Sequence, residues 1–321
     1  MKKSSVFAFL LLSILSCKKE TNEKIDYKQE MRSFVQNISI YAKGVSPGFI
    51  VIPQNGEQLL TSSGLAEGSL STSYIQAIDG IGREDLFYGY ENDDDATPTS
   101  AKGEMFPFTD IAKNNGLKVL VTDYCSTPSK MNDSYAQNYS KGYISFAADH
   151  RELDNLPFFS TTPFRVDTND IVTLSDAQNF LYIINTANFE SKASFISTVS
   201  STNYDVVIMD INFNEEFFDV SEINQLKQKA NGGFRKVICY MSIGEAENYR
   251  YYWKSFWNAT PPQFIVAENS QWAGNYKVKY WDKEWQSIIY GSANSYLSKI
   301  LNAGFDGVYL DIIDGFEYFE N

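Results

Sequence analysis

The stretch Lys236-Val-Ile-Cys-Tyr-Met-Ser-Ile-Gly-Glu-Ala-Glu247 passes through five apolar residues without alternation and then meets Ser242, Gly244, Glu245 and Glu247. An unbroken apolar run of this length reads as a strand buried on both faces, as in a parallel sheet. Its acids arrive where the strand ends. The same design returns near the C-terminus, where Val308, Tyr309 and Leu310 lead to Asp311 and Asp314. Upstream, Val119–Val121 lead to Asp123 and Tyr124, the run 206–209 leads to Asp210, and 78–81 is followed by Glu84 and Asp85.

Working outward, strand-like runs fall at 49–53, 117–123, 180–185, 205–211, 236–243, 263–267 and 305–312, with weaker candidates at 77–82 and 143–147. Helical patterns lie between them. Met31, Phe34, Val35, Ile38 and Tyr41 share one helical face, as do Ile223, Leu226 and Ala230, and 294–303 is closed by Gly304 as a C-cap. Strand then helix, repeated about eight times, predicts a (β/α)8 TIM barrel rather than an open doubly wound sheet. No glycine-rich phosphate fingerprint follows any run, which weakens a nucleotide-binding reading.

In a β/α barrel the C-terminal strand ends converge on one face, so these distant carboxylates would share one mouth. Crowded carboxylates cannot all stay ionised, and some are pushed upward in pKa. Glycoside hydrolysis needs such a division: one carboxylic acid to protonate the leaving oxygen, one carboxylate as nucleophile or base. The competing structural reading is that each acid caps the following helix. The one histidine, His150, excludes any site built on two histidine ligands and leaves Ser-His-Asp or Cys-His chemistry only to that residue. All five tryptophans lie between Trp253 and Trp285. Aromatic faces stack on sugar rings, and Trp272 and Trp253 are expected near a ligand. No cofactor and no metal is expected; the acidic run 91–95 reads as a solvated loop, with calcium binding the minor alternative.

The formal net charge of −13 argues against nucleic acid as a partner. It suits a cationic ligand as well as plain solubility. Lys2 and Lys3, the apolar run 6–15 and Ile14-Leu-Ser-Cys17 form an export signal ending in a lipobox-like motif. Residues 1–17 are therefore expected to be a lipoprotein leader, Cys17 the lipidated residue, 18–26 a tether, and 27–321 the folded domain. The protein would then be anchored by its lipid to a bacterial membrane in the cell envelope. Cys125 and Cys239 are expected to be buried free thiols.

From Tyr240 to Arg250 the sequence YMSIGEAENYR resembles the signature of the polygalactosaminidase-like family, glycoside hydrolase family 114. Residues 268–276 (ENSQWAGNY), 304–316 (GFDGVYLDIIDGF), 53–56 (PQNG) and 78–88 (IDGIGREDLFY) resemble further blocks of that family. The resemblance implies a β/α barrel and endo-acting cleavage of α-1,4 links in galactosamine-rich polymers. It implies Asp311 as nucleophile and Glu84 as general acid/base, with Asp314 competing for the nucleophile's role. Glu245 and Glu247 would bind an amino group or tune a neighbour, Arg250 would hold a carboxylate, and Gln54 and Asn55 would bond sugar hydroxyls. Asp123, Tyr124, Asp210, Tyr240 and Trp272 complete the expected substrate contacts. In the family the SIGEAE and LDIID blocks come before PQNG and EDLFY; here the order is reversed, so the chain reads as a circular permutant with 157–175 as the new connection. A glycan-binding lipoprotein without catalysis, and a glycosidase for another α-linked polymer, are the alternatives.

Overall fold

The computed structural model describes residues 25–157 and 162–320. The leader, Cys17 and all of the tether but Ile25 and Asp26 lie outside the described residues, as does part of the 157–175 connection. Among the described residues no helix is long and apolar enough to cross a membrane.

The architecture is mixed α/β with parallel sheets. Eight parallel strands carry it: β1 (Ile50–Pro53), β2 (Gly80–Glu84), β3 (Lys118–Tyr124), β4 (Ile144–Ala148), β5 (Phe180–Ile183), β6 (Val206–Met209), β7 (Lys236–Ser242) and β8 (Gly307–Asp311). One sheet runs β1-β8-β7-β6-β5 and the other β2-β3-β4. Every pairing within them is parallel, from Ile50 beside Gly307 to Asp311 beside Ser242. The β1, β4, β5 and β6 residues are all buried, which is why these runs show no alternation.

The two sheets meet at both flanks. Gln54 forms a parallel bridge with Gly82, and the Asp79 side chain accepts from Val51 N at 2.8 Å. On the other side the Phe146 and Phe180 rings lie 5.8 Å apart.

Helices separate most strands. Asp26 caps α1 (Tyr27–Val45) by accepting from Gln29 N, and Met31, Phe34, Val35, Ile38 and Ala42 face the core. Then come α2 (Thr72–Ala77), α3 (Thr99–Asn114) and α4 (Pro128–Lys141), the last opened by Pro128 and closed by left-handed Gly142. After β5 follow α5 (Lys192–Ser200), α6 (Val220–Leu226), α7 (Lys283–Ile289), α8 (Tyr296–Ala303) and α9 (Phe316–Glu320). Gly304 ends α8 at φ 88°, the cap the sequence indicates.

One strand expectation is corrected. The run at 263–267 does not join the parallel sheets; its segment 265–268 pairs in a three-stranded antiparallel sheet with 275–278, which also pairs with 245–247. Residues 265–268 alternate between half-buried and exposed, a surface pattern rather than that of a doubly buried strand. Cys125 and Cys239 are free and buried, as expected. The two ends of the described chain adjoin: the Tyr27 and Phe319 rings are 5.5 Å apart and Lys28 pairs with Glu320.

Candidate active site

The site is built where β8, β1 and β2 end side by side. Beyond β1, Gln54 N donates to Leu310 O at 2.7 Å and Asn55 N donates to Gly82 O at 2.9 Å. Gln54 and Asn55 thus stitch the end of β8 to the end of β2, with Asp311 on one side and Glu84 on the other.

Each of the two acids has its own holder. The Tyr240 hydroxyl donates to Asp311 Oδ2 at 2.6 Å. Glu84 accepts from the Tyr124 hydroxyl at 2.5 Å and from Asn55 Nδ2 at 3.0 Å, while Asn55 Oδ1 accepts from Glu84 N. Burial pushes the Asp311 carboxyl up to about 7, and the negative charges of Glu84 and Asp314 add to this; the bonds from Tyr240 and from the Ile312 backbone oppose it. Asp314 is raised to about 6 by burial and by the charges of Glu317, Glu84 and Glu57, against the pull of Arg83. The Glu84 charge thus reaches both Asp311 and Asp314.

The backbone is bent sharply at each of these points. Asn55, Asp85 and Ile312 have φ of 58°, 59° and 58°. Asn and Asp tolerate this left-handed region, but a β-branched residue there is an outlier that its surroundings must hold in place. Gly244 is what allows it: a Cβ at Gly244 would lie 2.2 Å from Ile312 O. Gly82 has a matching role below the site, where a Cβ would lie 1.9 Å from the Tyr309 hydroxyl oxygen. Tyr182 donates to Gln54 Oε1 at 3.0 Å and packs edge-on against Tyr309, forming an aromatic floor. Tyr182 and Tyr309 escaped the sequence reading, although Tyr309 stands two residues before Asp311 and so shares its strand face.

A second cluster lies beyond β6 and β7. Buried Arg250 pairs with Asp210 at 2.7 Å and with Glu247 at 2.6 Å, and Tyr249 donates to Glu247 at 2.6 Å. Arg250 thus bridges two carboxylates. Glu245 accepts from Asn269 Nδ2 at 2.9 Å, has Lys277 Nζ at 3.4 Å, and keeps a buried Oε2 without a partner among the described residues. Trp272 is 59% exposed on the loop that begins at Asn269.

Other expected contacts lie elsewhere. Asp123 is fully buried and accepts from Phe87 N, Tyr88 N, Ser134 and Asn138, so it anchors the segment after Glu84 instead of facing the mouth. Trp253 packs on Trp257 and Tyr276 and donates to Asn258. His150 sits between Asp149 and Asp154. Among the described residues no group of three or more His, Cys, Asp or Glu could hold a metal ion. In the acidic loop, Asp94 binds Thr127 and Lys130, and Asp93 binds Arg151.

A family model described as Glycoside-hydrolase family GH114 matches residues 160–321, half of the chain. The chain belongs to glycoside hydrolase family 114. The stretch matched to family 114 contains Asp210, Tyr240, Glu245, Glu247, Arg250, Asp311 and Asp314; Asn55, Glu84 and Tyr124 precede it. An uncharacterized protein of Methanocaldococcus jannaschii is 35% identical over 180 residues, 55% of this chain and 49% of that protein. An uncharacterized protein of Thermotoga maritima is 37% identical over 120 residues, 37% of this chain and 36% of that protein. The chain thus spans half or less of the length of these relatives.

Proposed function

We propose that the protein is an endo-acting glycosidase that cleaves α-1,4-linked galactosamine-rich polysaccharide, with Asp311 as nucleophile and Glu84 as general acid/base. The observation that carries this is the pair itself. Two carboxylates flank Gln54 and Asn55, each is oriented by a buried tyrosine, and the charge of one raises the pKa of the other. In the empty site burial and the Glu84 charge draw a proton to Asp311, and the two-carboxylate mechanism starts once Asp311 is the anion.

In this reaction Glu84 protonates the leaving oxygen while Asp311 attacks the anomeric carbon. Water, deprotonated by Glu84, then releases the sugar from Asp311. The raised pKa of Asp311 works against its ionisation in the empty site. A protonated amino sugar bound between Asp311, Asp314 and Glu84 would offset that repulsion, which supports a cationic substrate. The net charge of −13 acts in the same direction, by drawing a polycation toward the protein.

Three further parts belong to this reading. The eight strands close as one (β/α)8 barrel forming a single domain, supported by the contacts at both sheet flanks. The family's blocks stand in permuted order, supported by the adjacency of Tyr27 and Phe319 and by a family match confined to the second half. The leader and Cys17 anchor the protein to a membrane in the cell envelope, supported by the lipobox-like sequence.

The test is the anomer first formed on partly deacetylated α-1,4-galactosamine polymer, read by NMR. Oligosaccharides released with α-configured ends are expected. Ends released as β would remove Asp311 from the nucleophile's role, and no release would remove the galactosamine polymer as the substrate.

A further inference from the structure

Arg151 lies just beyond β4 and reaches across to the segment that follows β2. Its Nη2 is 2.8 Å from Asp85 Oδ1 and its Nη1 is 3.4 Å from Asp85 Oδ2. Its Nε donates to Asp93 Oδ1 at 2.6 Å, and Nη2 also donates to Gly89 O. The guanidinium carbon lies 4.1 Å from the centre of the Tyr124 ring. Gly89 makes room for this: at φ 111° it adopts a backbone conformation that side chains resist, and a Cβ there would lie 2.4 Å from Asp85 Oδ1 and 3.1 Å from Arg151 Nη2.

Two of the Arg151 contacts, those with Asp85 and Tyr124, lead to the same carboxylate. Asp85 is the residue after Glu84, held in the left-handed region, and Tyr124 is the phenol that donates to Glu84 Oε1. We propose that Arg151 is a positioning residue for Glu84, fixing the acid/base carboxylate from two sides through the Asp85 backbone and the Tyr124 ring. The proposal rests on Glu84 being the general acid/base. Arginine suits the task because its planar fork can pair with a carboxylate while its face stacks on an aromatic ring; a lysine ammonium can do neither in the same way. Without Arg151, the half-buried Asp85 carboxylate loses its ion-pair partner and keeps only the more distant charge of Arg83, the segment 85–95 loses its tie to β4, and the Tyr124 ring loses the cation on its face. A carboxylate displaced by about 1 Å can cost about 10²-fold in rate.

The experiment compares Arg151→Met and Arg151→Lys with the wild-type chain on aryl α-glycosides of α-1,4-galactosamine oligosaccharides that differ in leaving-group quality. Expulsion of a poor phenol needs the general acid; expulsion of 2,4-dinitrophenolate does not. Arg151→Met should lower kcat/KM, which reports the step that expels the phenol, about 10- to 100-fold on the poor leaving groups and leave kcat/KM on the dinitrophenyl substrate within about threefold, with Arg151→Lys between. Equal losses on both substrates would make Arg151 merely structural and overturn the proposal, as would no loss at all. Amide exchange reads the clamp without turnover: exchange in 85–95 should rise at least tenfold in Arg151→Met while the strands stay protected, and unchanged exchange would refute the clamp. If the wild type hydrolyses neither substrate, the glycosidase reading falls and the role toward Glu84 falls with it, even where the exchange result stands.

Discussion

Asp311 is caught between opposing demands. Burial and the neighbouring charges of Glu84 and Asp314 favour its protonated form, while Tyr240 and the Ile312 amide favour the anion. Its folded pKa of about 7 stands above the unfolded carboxyl value. The stability this gives is fully present below the unfolded pKa and is lost as pH rises through about 7. Asp311→Asn should therefore match the wild type near pH 4 and exceed it by about 2 kcal/mol above pH 7. That is about half of what such a shift would give in a fully sealed site, since Asp311 keeps partial solvent access. Urea denaturation at the two pH values is the check, and an equal effect at both would contradict the buried-acid description. Asp123 is likewise held by its neighbours. Its place at the end of a strand run was legible, but four donors claim its carboxylate, and the sequence does not show where Phe87, Tyr88, Ser134 and Asn138 fold back.

Among the elements, the turn after β8 does most to aim the chemistry. Ile312 at φ 58° swings the chain out of the strand just beyond Asp311, and the bare face of Gly244 receives it. Gly244→Ala should destabilise the protein by about 1–3 kcal/mol through the clash with the Ile312 carbonyl. It should also cut kcat more than tenfold, because relief of the clash must move the turn that carries Asp311. Chemical denaturation and single-turnover rates read the two effects, and an unperturbed enzyme would show the turn to be irrelevant. The strand runs themselves were open to reading, since doubly buried strands leave unbroken apolar sequence; 263–267 misled because a short apolar run looks alike in a surface sheet and in a core strand. The positive φ at Asn55 and Asp85 suits residues that tolerate it, but nothing in the residue type of Ile312 announces a left-handed bend.

At the scale of the whole molecule, residues from the two halves of the chain form one site. Asn55, Glu84 and Tyr124 come from the first half, Tyr240, Asp311 and Asp314 from the second, and the β8-β1 pairing brings them together. The recurrence of acids at strand ends makes that gathering legible in the sequence. The supports behind the acids were less so: Tyr182, which donates to Gln54, Tyr309, which packs against Tyr182, and Arg151, which pairs with Asp85, act through contacts that only the packing of the strands and their loops creates. The most direct measurement is hydrolysis of partly deacetylated poly-α-1,4-galactosamine by the wild type, Asp311→Asn and Glu84→Gln, with binding of the same polymer followed in parallel. The wild type should release oligosaccharides, Asp311→Asn should fall to background, Glu84→Gln should lose about 10²- to 10⁴-fold, and all three should still bind. A wild type that binds the polymer without cleaving it, or variants that cleave at the wild-type rate, would contradict the assignment of this pair as the catalytic acids.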